Sequence, residues 1–421
     1  MRIIYSWLIR CAVPVALAAI LWRGLRDRGY RHGLAERLGF GVALPARSIW
    51  LHAVSLGEMS AAAPLLKALR SRHPEIPLVV TTATPAGRAR ARVLVTDVRF
   101  LPYDTPGSAR RFLARTAPRI AIIMETELWP NLLRECERGG IPVLLASARL
   151  SAKSVSRYRR FGGLFGGIFT KNLMVAAQSA ADAERFRSIG APAEQTRVVG
   201  NVKFDLQADA GTLDAGRQLR AAYAGMRPVW IAGSTHAGEE EQLLDAHALL
   251  LKACPDAVLL LVPRHKDRFA GVADLLTQRG IRFARRSQTA PDAAARLPSD
   301  TPVLLVDTVG ELAALYASAD AAFVGGSLVP IGGHNLLEPA ALGLPVLTGP
   351  SFFNAKEIAQ LLLERGAALR VDNAQDLAAV LTRLLGDSAM RQRIGSIGKD
   401  IVAANRGSVD RLLALIESSL R

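Results

Sequence analysis

Two short segments in the first half of the chain hold carboxylates at positions where acid–base chemistry could occur. Glu58 ends residues 52–58 (HAVSLGE), and Glu125 and Glu127 lie in residues 124–131 (METELWPN). Each segment follows an apolar run that predicts a buried strand, and a carboxylate at a strand end can act as a general base. Period-two spacing would put Glu125 and Glu127 on one side if the strand continued through them. The alternatives are a favourable first-turn acid at Glu58 and a solvated turn at the second segment.

Residues 325–350 (GGSLVPIGGHNLLEPAALGLPVLTGP) show the pattern with which α/β folds hold anions: a strand end, a glycine-rich loop and a helix start. Gly332 and Gly333 would let backbone N–H groups approach a phosphate. Pro339 fits the first position of a short helix, and the Glu338 carboxylate beside it could accept hydrogen bonds from two sugar hydroxyls. The alternative is an ordinary tight loop in which Glu338 matches the positive end of the helix dipole.

Three further strand ends in the second half carry residues that could bind a phosphate. The first holds residues that form either a phosphate loop or a helix N-cap: Gly233, Ser234 and Thr235. At the second, Arg264 could pair with a phosphate. The third is followed by residues 308–311 (TVGE). Because parallel strands end at one edge of a sheet, we expect all three to converge with the glycine loop on one crevice.

Metal, disulfide and hydrolase chemistry have no local support in the sequence. Four histidines lie in separate loops without a ligand spacing such as HExxH: His52, His236, His265 and His334. Three cysteines lie far apart and form no CxxC pair, which argues against a disulfide framework or a structural zinc site: Cys11, Cys136 and Cys254. Neither GxSxG nor a Walker A pattern occurs. We therefore expect no metal and no cofactor.

Two series of alternating strands and helices position these segments. The first has predicted strands at 48–54, 78–82, 98–101, 120–124, 143–146 and 174–177, and the second at 229–232, 258–262, 281–284, 303–306, 321–324 and 346–348. Such alternation predicts parallel sheets. Residues 285–300 are predicted to be a loop, and the chain after 374 to be helical. The polar, strand-poor segment 203–223 predicts a domain boundary. We expect α/β domains at 23–205 and 206–421 with a cleft between them, and a last helix able to return to the first domain.

The N-terminus predicts a single membrane anchor. Residues 3–22 are mostly apolar, about the span of a bilayer core, although Arg10 and Pro14 interrupt the run. Spanning the bilayer and lying in its interface are both open, and the remaining alternative is a buried core helix. Arginines follow directly at 23, 26, 28, 31 and 37, which by the positive-inside rule keeps the rest of the chain cytoplasmic. We place the anchor at residues 1–22.

The overall charge limits the class of partner. The 421 residues carry a formal net charge of +16, which suits a phosphorylated substrate, an anionic membrane face or a nucleic acid. Aromatic residues make up only 6% of the chain, and no basic stretch is interleaved with stacking aromatics. Nucleic acid is therefore excluded as the expected partner, and anionic lipids and a phosphorylated substrate are retained.

Taken together, seven ordered segments resemble one family: HAVSLGE, METELWPN, GNVKFD, GSTHAGEE, PRH, VGE and GGHNLLEPA. They are similar to those of the 3-deoxy-D-manno-octulosonic acid (Kdo) transferases of lipopolysaccharide assembly, which are GT-B glycosyltransferases. The resemblance covers nearly the whole chain. It implies two Rossmann-like domains, CMP-Kdo as donor and a lipid A precursor (lipid IVA) as acceptor. It also implies inverting, metal-independent transfer at the cytoplasmic face of the inner membrane.

The resemblance also implies roles for individual residues. Glu58 would be the general base, and Glu125 and Lys203 would support the charge that develops in the transition state. The motif does not decide between Glu125 and Glu127. The residues implied to bind CMP are Pro263, Arg264, Val309, Gly310, Glu311, Asn335, Leu336, Leu337 and Glu338. Two other functions stay open: another GT-B nucleotide-sugar enzyme, such as a UDP-sugar epimerase, and a non-catalytic membrane-attached binding module.

Overall fold

In the computed structural model the described residues are 2–165, 167–206, 210–289, 297–298 and 300–420. The chain divides into two compact units, the first made of Met1–Asp205 with Asn405–Arg421 and the second of Leu206–Ala404. Residues 290–296 and 299 of the predicted loop at 285–300 lie outside the described part of the chain.

Each unit is built on one parallel sheet of seven strands. The first sheet has the order β3-β2-β1-β4-β5-β6-β7 and the second has the order β10-β11-β9-β8-β12-β13-β14. The strands of the first are β1 (Ile49–His52), β2 (Leu78–Thr82), β3 (Asp97–Phe100), β4 (Ile120–Met124), β5 (Val143–Ala148), β6 (Leu173–Ala177) and β7 (Thr196–Val198). Those of the second are β8 (Val229–Thr235), β9 (Val258–Pro263), β10 (Phe283–Arg285), β11 (Val303–Leu305), β12 (Ala321–Val324), β13 (Val346–Thr348) and β14 (Ala368–Arg370).

Helices cover the sheets and make up most of the connections. The first unit has α1 (Arg2–Arg26), α2 (Leu34–Arg37), α3 (Leu56–Arg72), α4 (Pro85–Leu94), α5 (Pro106–Thr116), α6 (Pro130–Arg138), α7 (Ala152–Arg160), α8 (Gly162–Phe165) and α9 (Ala180–Arg187). The second has α10 (Ala210–Tyr223), α11 (Glu240–Ala253), α12 (Phe269–Gln278), α13 (Leu312–Ala317), α14 (Leu337–Ala341), α15 (Lys356–Glu364), α16 (Ala374–Gly386) and α17 (Ser388–Ala404). The last helix, α18 (Ser408–Leu420), belongs to the first unit.

The predicted α/β class with parallel sheets is confirmed, because the central strands are apolar runs buried on both faces. Strands β7 and β14 were not predicted. Both lie at the edge of a sheet and are three residues long, with a partly exposed sequence (TRV and ALR) that lacks an apolar run. An edge strand needs only one paired neighbour, so its sequence carries little of the usual strand signal.

Helix α1 stands apart from the hydrophobic cores. Residues Ile3–Arg26 are long and apolar enough to cross a membrane, with a mean hydropathy of 1.9, and only 6% of an apolar stretch of 18 residues within them is buried. The prediction of an apolar N-terminal helix is therefore confirmed, and the alternative of a buried core helix is wrong. Length and composition alone do not separate a helix that crosses a bilayer from one that lies on it.

Candidate functional site

The candidate site of the first unit lies where the order of the strands switches from one side of β1 to the other. Strands β2 and β3 lie on one side of β1, and β4 and its successors lie on the other. Open parallel sheets bind ligands outside the carboxyl ends of the strands at such a switch point. Glu58 follows β1 and Glu125 follows β4, so both carboxylates belong to the two strands that flank this point.

Glu58 lies in the first turn of α3 and is held by two hydrogen bonds. Its own N–H donates to Ser55 Oγ at 3.3 Å, and its Oε2 accepts from the N–H of Val54 at 2.8 Å. The helix-start role that was the alternative reading is therefore real, and it also fixes the orientation of the carboxylate. Burial raises the pKa of Glu58, and the negative charge of Glu125 raises it further. A carboxylate with a raised pKa is a stronger base.

Glu125 lies in a strained turn directly after β4. Its φ is 54°, a left-handed conformation that costs a non-glycine residue of order 1–3 kcal/mol, and its N–H donates to Ala146 O at 3.0 Å. The strand ends at Met124 and does not continue through these residues, so the period-two relation between Glu125 and Glu127, which depended on that continuation, does not apply. Lys203 Nζ lies 3.3 Å from Glu125 Oε1. This ion pair is the structural feature that distinguishes Glu125 from Glu127.

Glu127 belongs to the same electrostatic cluster. Burial raises its pKa to about 7, with further contributions from the charges of Glu58 and Glu125. Three carboxylates thus influence one another at this edge, and a single lysine is paired with one of them. Because like charges resist ionising together, Glu127 holds a proton for part of the time at neutral pH.

Lys203 is positioned by the C-terminal helix. It lies in a 3₁₀ turn, Val202–Phe204, whose flanking residue Asn201 accepts from the Lys203 N–H through Oδ1 at 3.0 Å. Two residues further on, the Asp205 carboxylate accepts from the N–H groups of Gly407 at 2.6 Å and Val409 at 2.5 Å. The first turn of α18 is thereby tied to the Lys203 turn.

In the second unit the four expected strand ends are neighbours. Strands β11, β9, β8 and β12 are adjacent in that order. The switch in strand order falls between β8 and β12. However, Gly233, Ser234 and Thr235 lie within β8 and not in a loop, so the expected phosphate loop is wrong in its local structure. A Cβ on Gly233 would lie 2.3 Å from Tyr316 Oη, so close packing requires this glycine. Nor does either hydroxyl cap α11, which begins only at Glu240.

Gly332 and Gly333 are required by backbone geometry. Their φ values are 101° and 72°, which glycine adopts without strain. Their N–H groups are already used within the unit: Gly332 donates to Ser351 Oγ at 3.1 Å and Gly333 to Gly326 O at 2.8 Å. In this arrangement the predicted contacts from these two N–H groups to a phosphate are therefore not available.

Glu239 holds the loop after β12, and the sequence reasoning did not single it out. Its side chain is 0% exposed and accepts from the N–H groups of Gly326 at 2.7 Å, and of Ser327 and Leu328 at 3.0 Å each. Successive N–H groups of this kind form an anion-binding concavity after a strand. Here a carboxylate of the protein occupies it and fixes the loop after β12. The only signal in the sequence was the acidic pair of GSTHAGEE.

Asn335 and Glu338 form the polar part of the predicted nucleotide segment. Asn335 Nδ2 donates to Glu338 Oε1 at 3.1 Å, while burial raises the pKa of Glu338 and the charge of Arg264 opposes that rise. Helix α14 begins at Leu337, so Pro339 occupies its third position, not the predicted first one. The side chains of Leu336 and Leu337 are 2% and 0% exposed, so their predicted contact with CMP is restricted to the backbone.

The other predicted nucleotide residues differ in accessibility. Pro263 is buried at the end of β9, and Arg264 beside it is exposed. Val309 is 65% exposed and Gly310 has a φ of 97°. The Glu311 carboxylate is held by Arg286 Nη2 at 2.7 Å and by the Thr308 hydroxyl.

Three histidines that lie in separate loops of the sequence meet in the second unit. His236 Nε2 and His334 Nε2 are 2.7 Å apart, and the ring centroids of His236 and His265 are 5.4 Å apart. Burial and nearby Arg264 lower the pKa of His334 to about 4. Within the described residues no group of three or more His, Cys, Asp or Glu side chains could hold a metal ion. His52, by contrast, is buried against Thr81 in the first unit.

Comparison with protein families and curated proteins gives consistent matches along the chain. The family model described as 3-Deoxy-D-manno-octulosonic-acid transferase (kdotransferase) matches residues 32–206, and that of Glycosyl transferases group 1 matches residues 293–401. The chain is 39% identical to a 3-deoxy-D-manno-octulosonic acid transferase of Haemophilus influenzae, covering 100% of this chain and 99% of that protein. The corresponding protein of Bordetella pertussis is 37% identical, also over 100% and 99%.

A solved structure supports the architecture. The UDP-GlcNAc 2-epimerase of Neisseria meningitidis bound to UDP-GlcNAc has a TM-score of 0.58 and 14% identity, covering 88% of this chain and 100% of that chain. At that identity the likeness shows the fold alone. It confirms the predicted GT-B type of arrangement, two Rossmann-like α/β units in one chain.

Proposed function

Because this chain belongs to the 3-deoxy-D-manno-octulosonic acid (Kdo) transferase family, we propose that it transfers Kdo from CMP-Kdo to a lipid A precursor with inversion at the anomeric carbon. The observation that carries the mechanism is the cluster of Glu58, Glu125 and Lys203 at the switch point of the first sheet. We assign activation of the acceptor to the first unit and binding of the nucleotide to the second.

In this mechanism the Glu58 carboxylate removes the proton from the acceptor hydroxyl as its oxygen bonds to the anomeric carbon. The bond from that carbon to the CMP phosphate breaks, and CMP leaves with the electron pair. Inversion needs a single base on the side of the sugar opposite the leaving group. The Glu125 carboxylate, whose Oε1 lies 3.3 Å from Lys203 Nζ, would stabilise the positive charge that develops on the sugar ring.

For the donor, we assign the ribose hydroxyls to Glu338 and the phosphate to Arg264. The support is the half-buried carboxylate of Glu338, oriented by Asn335, and the electrostatic effect of Arg264 on that carboxylate. Pro263, residues 309–311 and the backbone of residues 335–337 would complete the nucleotide contacts. One phosphodiester carries a single negative charge, so an arginine can neutralise it, and we propose that no divalent metal is needed.

The cellular site follows from the acceptor. A lipid A precursor is embedded in a membrane, and we place the chain at the cytoplasmic face of the inner membrane. The supports are the exposed apolar helix α1 and the formal net charge of +16, which suits an anionic leaflet.

A UDP-sugar epimerase is the alternative enzyme, and the comparisons weigh against it. Likeness to the Neisseria meningitidis epimerase is limited to 14% identity, whereas the Kdo transferase of Haemophilus influenzae is 39% identical over the whole chain. A non-catalytic binding module would give no reason for the strained backbone of Glu125 and its ion pair with Lys203.

The experiment that tests the function is product analysis with the purified full chain. Detergent-dispersed lipid IVA and CMP-Kdo should give a lipid product whose mass increases by one or more Kdo units, with CMP released. NMR of the product should show the anomeric configuration opposite to that of the donor. Conversion of UDP-GlcNAc to its epimer, or absence of lipid product with CMP-Kdo, would overturn the proposal.

A further inference from the structure

Helix α1 is fixed to the first unit at both of its ends. Near its start, the Tyr5 hydroxyl donates to Asp104 Oδ2 and the Ser6 hydroxyl to Asn131 Oδ1, each at 2.9 Å. At its end, Arg31 Nε donates to Gly24 O at 2.6 Å, and Gly24 is buried. The turn that follows packs on α4, since a Cβ on Gly29 would lie 3.0 Å from Pro85 Cβ.

This double attachment determines how α1 can meet a membrane. A helix of 25 residues is roughly 37 Å long, and the hydrocarbon core of a bilayer is about 30 Å thick. If α1 crossed the bilayer, its first and last turns would lie on opposite sides of it. The start of α1 bonds to Asp104 and Asn131 of the folded unit, and the segment that directly follows its last turn packs on α4 of the same unit. Both ends of α1 therefore lie at this unit, and α1 lies along its surface.

The exposure of the side chains along α1 supports the same orientation. The less exposed residues recur every three or four positions, as expected for the face against the unit: Ile9, Val13, Leu17, Ile20 and Gly24. The exposed face is apolar and includes Ile4, Leu8, Val15 and Trp22. These four positions share one side of the helix within about 40° at 100° per residue.

The chemistry of the exposed face indicates an anionic lipid surface as its partner. Trp7 and Trp22, 60% and 63% exposed, lie near the two ends of α1, and each has an arginine over its ring: Arg10 at 5.3 Å and Arg26 at 5.5 Å. The helix contains no acidic residue. Tryptophan and arginine around an apolar face are typical of helices that lie at a membrane interface.

The attachment near Tyr5 also reaches the candidate site. Asp104 accepts from the N–H groups of Asn131 at 3.1 Å and Leu132 at 2.8 Å, so it caps α6, whose own N-cap residue supplies no side-chain bond. The loop immediately before α6 carries Glu125 and Glu127. One buried carboxylate therefore joins the first turn of α1 to the end of this loop.

We infer that α1 lies in the plane of an anionic lipid surface, and that its Tyr5–Asp104 contact positions the Glu125 loop beside that surface. The second half of this inference rests on the proposed function, because it concerns the transfer step. The first half concerns lipid contact alone and is independent of any activity.

The orientation of α1 is tested by spin labels in the full chain reconstituted in phosphatidylglycerol–phosphatidylethanolamine vesicles. Single cysteines replace Ile4, Leu8, Val15 and Trp22 in turn, in a chain whose Cys11, Cys136 and Cys254 are changed to alanine. Oxygen and nickel-chelate accessibilities report the depth of each label. We expect all four labels at a similar shallow depth. A depth that peaks at Val15 with Ile4 in water would overturn the inference, as would four labels fully in water.

The positioning role of Tyr5 is tested with Tyr5→Phe, and Tyr30→Phe serves as the matched control in the same region. We expect Tyr5→Phe to bind vesicles like the wild type and to keep its KM for CMP-Kdo. Its kcat with lipid IVA should fall about tenfold, on the scale of a displaced catalytic group. Equal kcat values for the two variants would overturn the positioning role. A wild-type chain without transfer activity would instead refute the proposed function and leave the depth measurement intact.

Discussion

At the scale of single residues, the candidate site is defined by carboxylates that are close enough to affect one another. Glu58, Glu125 and Glu127 share one sheet edge, and burial together with mutual repulsion raises the pKa values of Glu58 and Glu127. The Lys203 ammonium pairs with Glu125. The cluster thus holds one ion-paired carboxylate beside two that bind protons more readily than ordinary glutamates do. A carboxylate of that kind is suited to act as a base.

Glu58→Gln should lower the rate of Kdo transfer by at least about a hundredfold, since a positioned base contributes about 10²–10⁴-fold. The glutamine amide oxygen can still accept the Val54 N–H, so the melting temperature should stay near that of the wild type. Single-turnover rates and thermal unfolding check the two expectations. Glu75→Gln, at an exposed acid beyond α3, is the control and should keep full activity. An active Glu58→Gln variant would remove Glu58 from the mechanism.

Glu127→Gln should change the pH dependence of stability. The pKa of Glu127 is about 7 in the folded chain and near 4.5 when unfolded, so folding takes up a proton between these values. Its contribution to stability is complete below pH 4.5 and is lost as the pH rises through 7. Glutamine cannot ionise, so the variant should gain about 1 kcal/mol over the wild type on going from pH 4.5 to pH 8. Denaturant unfolding of both proteins at pH 4.5 and pH 8 measures their free energies of unfolding. If the difference between variant and wild type were the same at both pH values, the raised pKa of Glu127 would be contradicted.

At the scale of elements, segments far apart in the chain hold the ends of helices next to the site. Asp104 caps α6 from the loop after β3, and Asp205 caps α18 from the turn that holds Lys203. In the same way, the Glu239 carboxylate accepts hydrogen bonds from the backbone N–H groups that follow β12. Such contacts satisfy donors that a helix or loop leaves unpaired, and they fix the loops that carry the polar residues.

Asp205→Ala should affect stability and turnover together. The loss of the contacts to Gly407 and Val409 should cost about 1–2 kcal/mol, and movement of the Lys203 turn should lower kcat about tenfold. The control is Asp387→Ala, which removes the bond from the Met390 N–H at the start of α17. It should lose stability but keep kcat. Chemical denaturation and steady-state kinetics on both variants test this, and equal kcat values would contradict the link to Lys203.

At the scale of the whole molecule, the two sheets repeat one arrangement. In each sheet, polar residues collect at the carboxyl ends of the strands, at the point where the strand order switches. This point lies between β1 and β4 in the first sheet and between β8 and β12 in the second. The first unit holds the carboxylate cluster with Lys203. The second holds Arg264, Glu338 and the three histidines that meet there, His236, His265 and His334. The division suits a transferase that activates one substrate and binds a nucleotide.

Transfer should not depend on a divalent metal, because CMP-Kdo carries one phosphodiester charge that Arg264 can neutralise. Initial rates in excess EDTA should equal those in the same buffer with magnesium. The matched control adds EDTA already saturated with magnesium, which separates chelation from an effect of EDTA itself. Activity lost in EDTA and restored by magnesium would contradict the expectation.

The sequence by itself was sufficient for the fold class, the family and the segments that form the two sheet edges. Apolar runs such as Ile120–Met124 report burial on both faces of a sheet, and that information is local. Motifs such as HAVSLGE and GGHNLLEPA are also local and identify a family in combination. The same local reading missed β7 and β14, since short edge strands bury too little to leave an apolar pattern.

Only the tertiary structure decided which partners these residues have. Lys203 pairs with Glu125 from 78 positions away, and Tyr5 reaches Asp104 across 99 positions. The Glu239 carboxylate accepts hydrogen bonds from N–H groups 87 to 89 residues away in the chain. The N–H groups of Gly332 and Gly333 donate to other residues of the same unit. Periodicity and spacing describe which face of an element is buried. They carry no information on which distant polar group meets it, because that depends on how the sheet orders its strands.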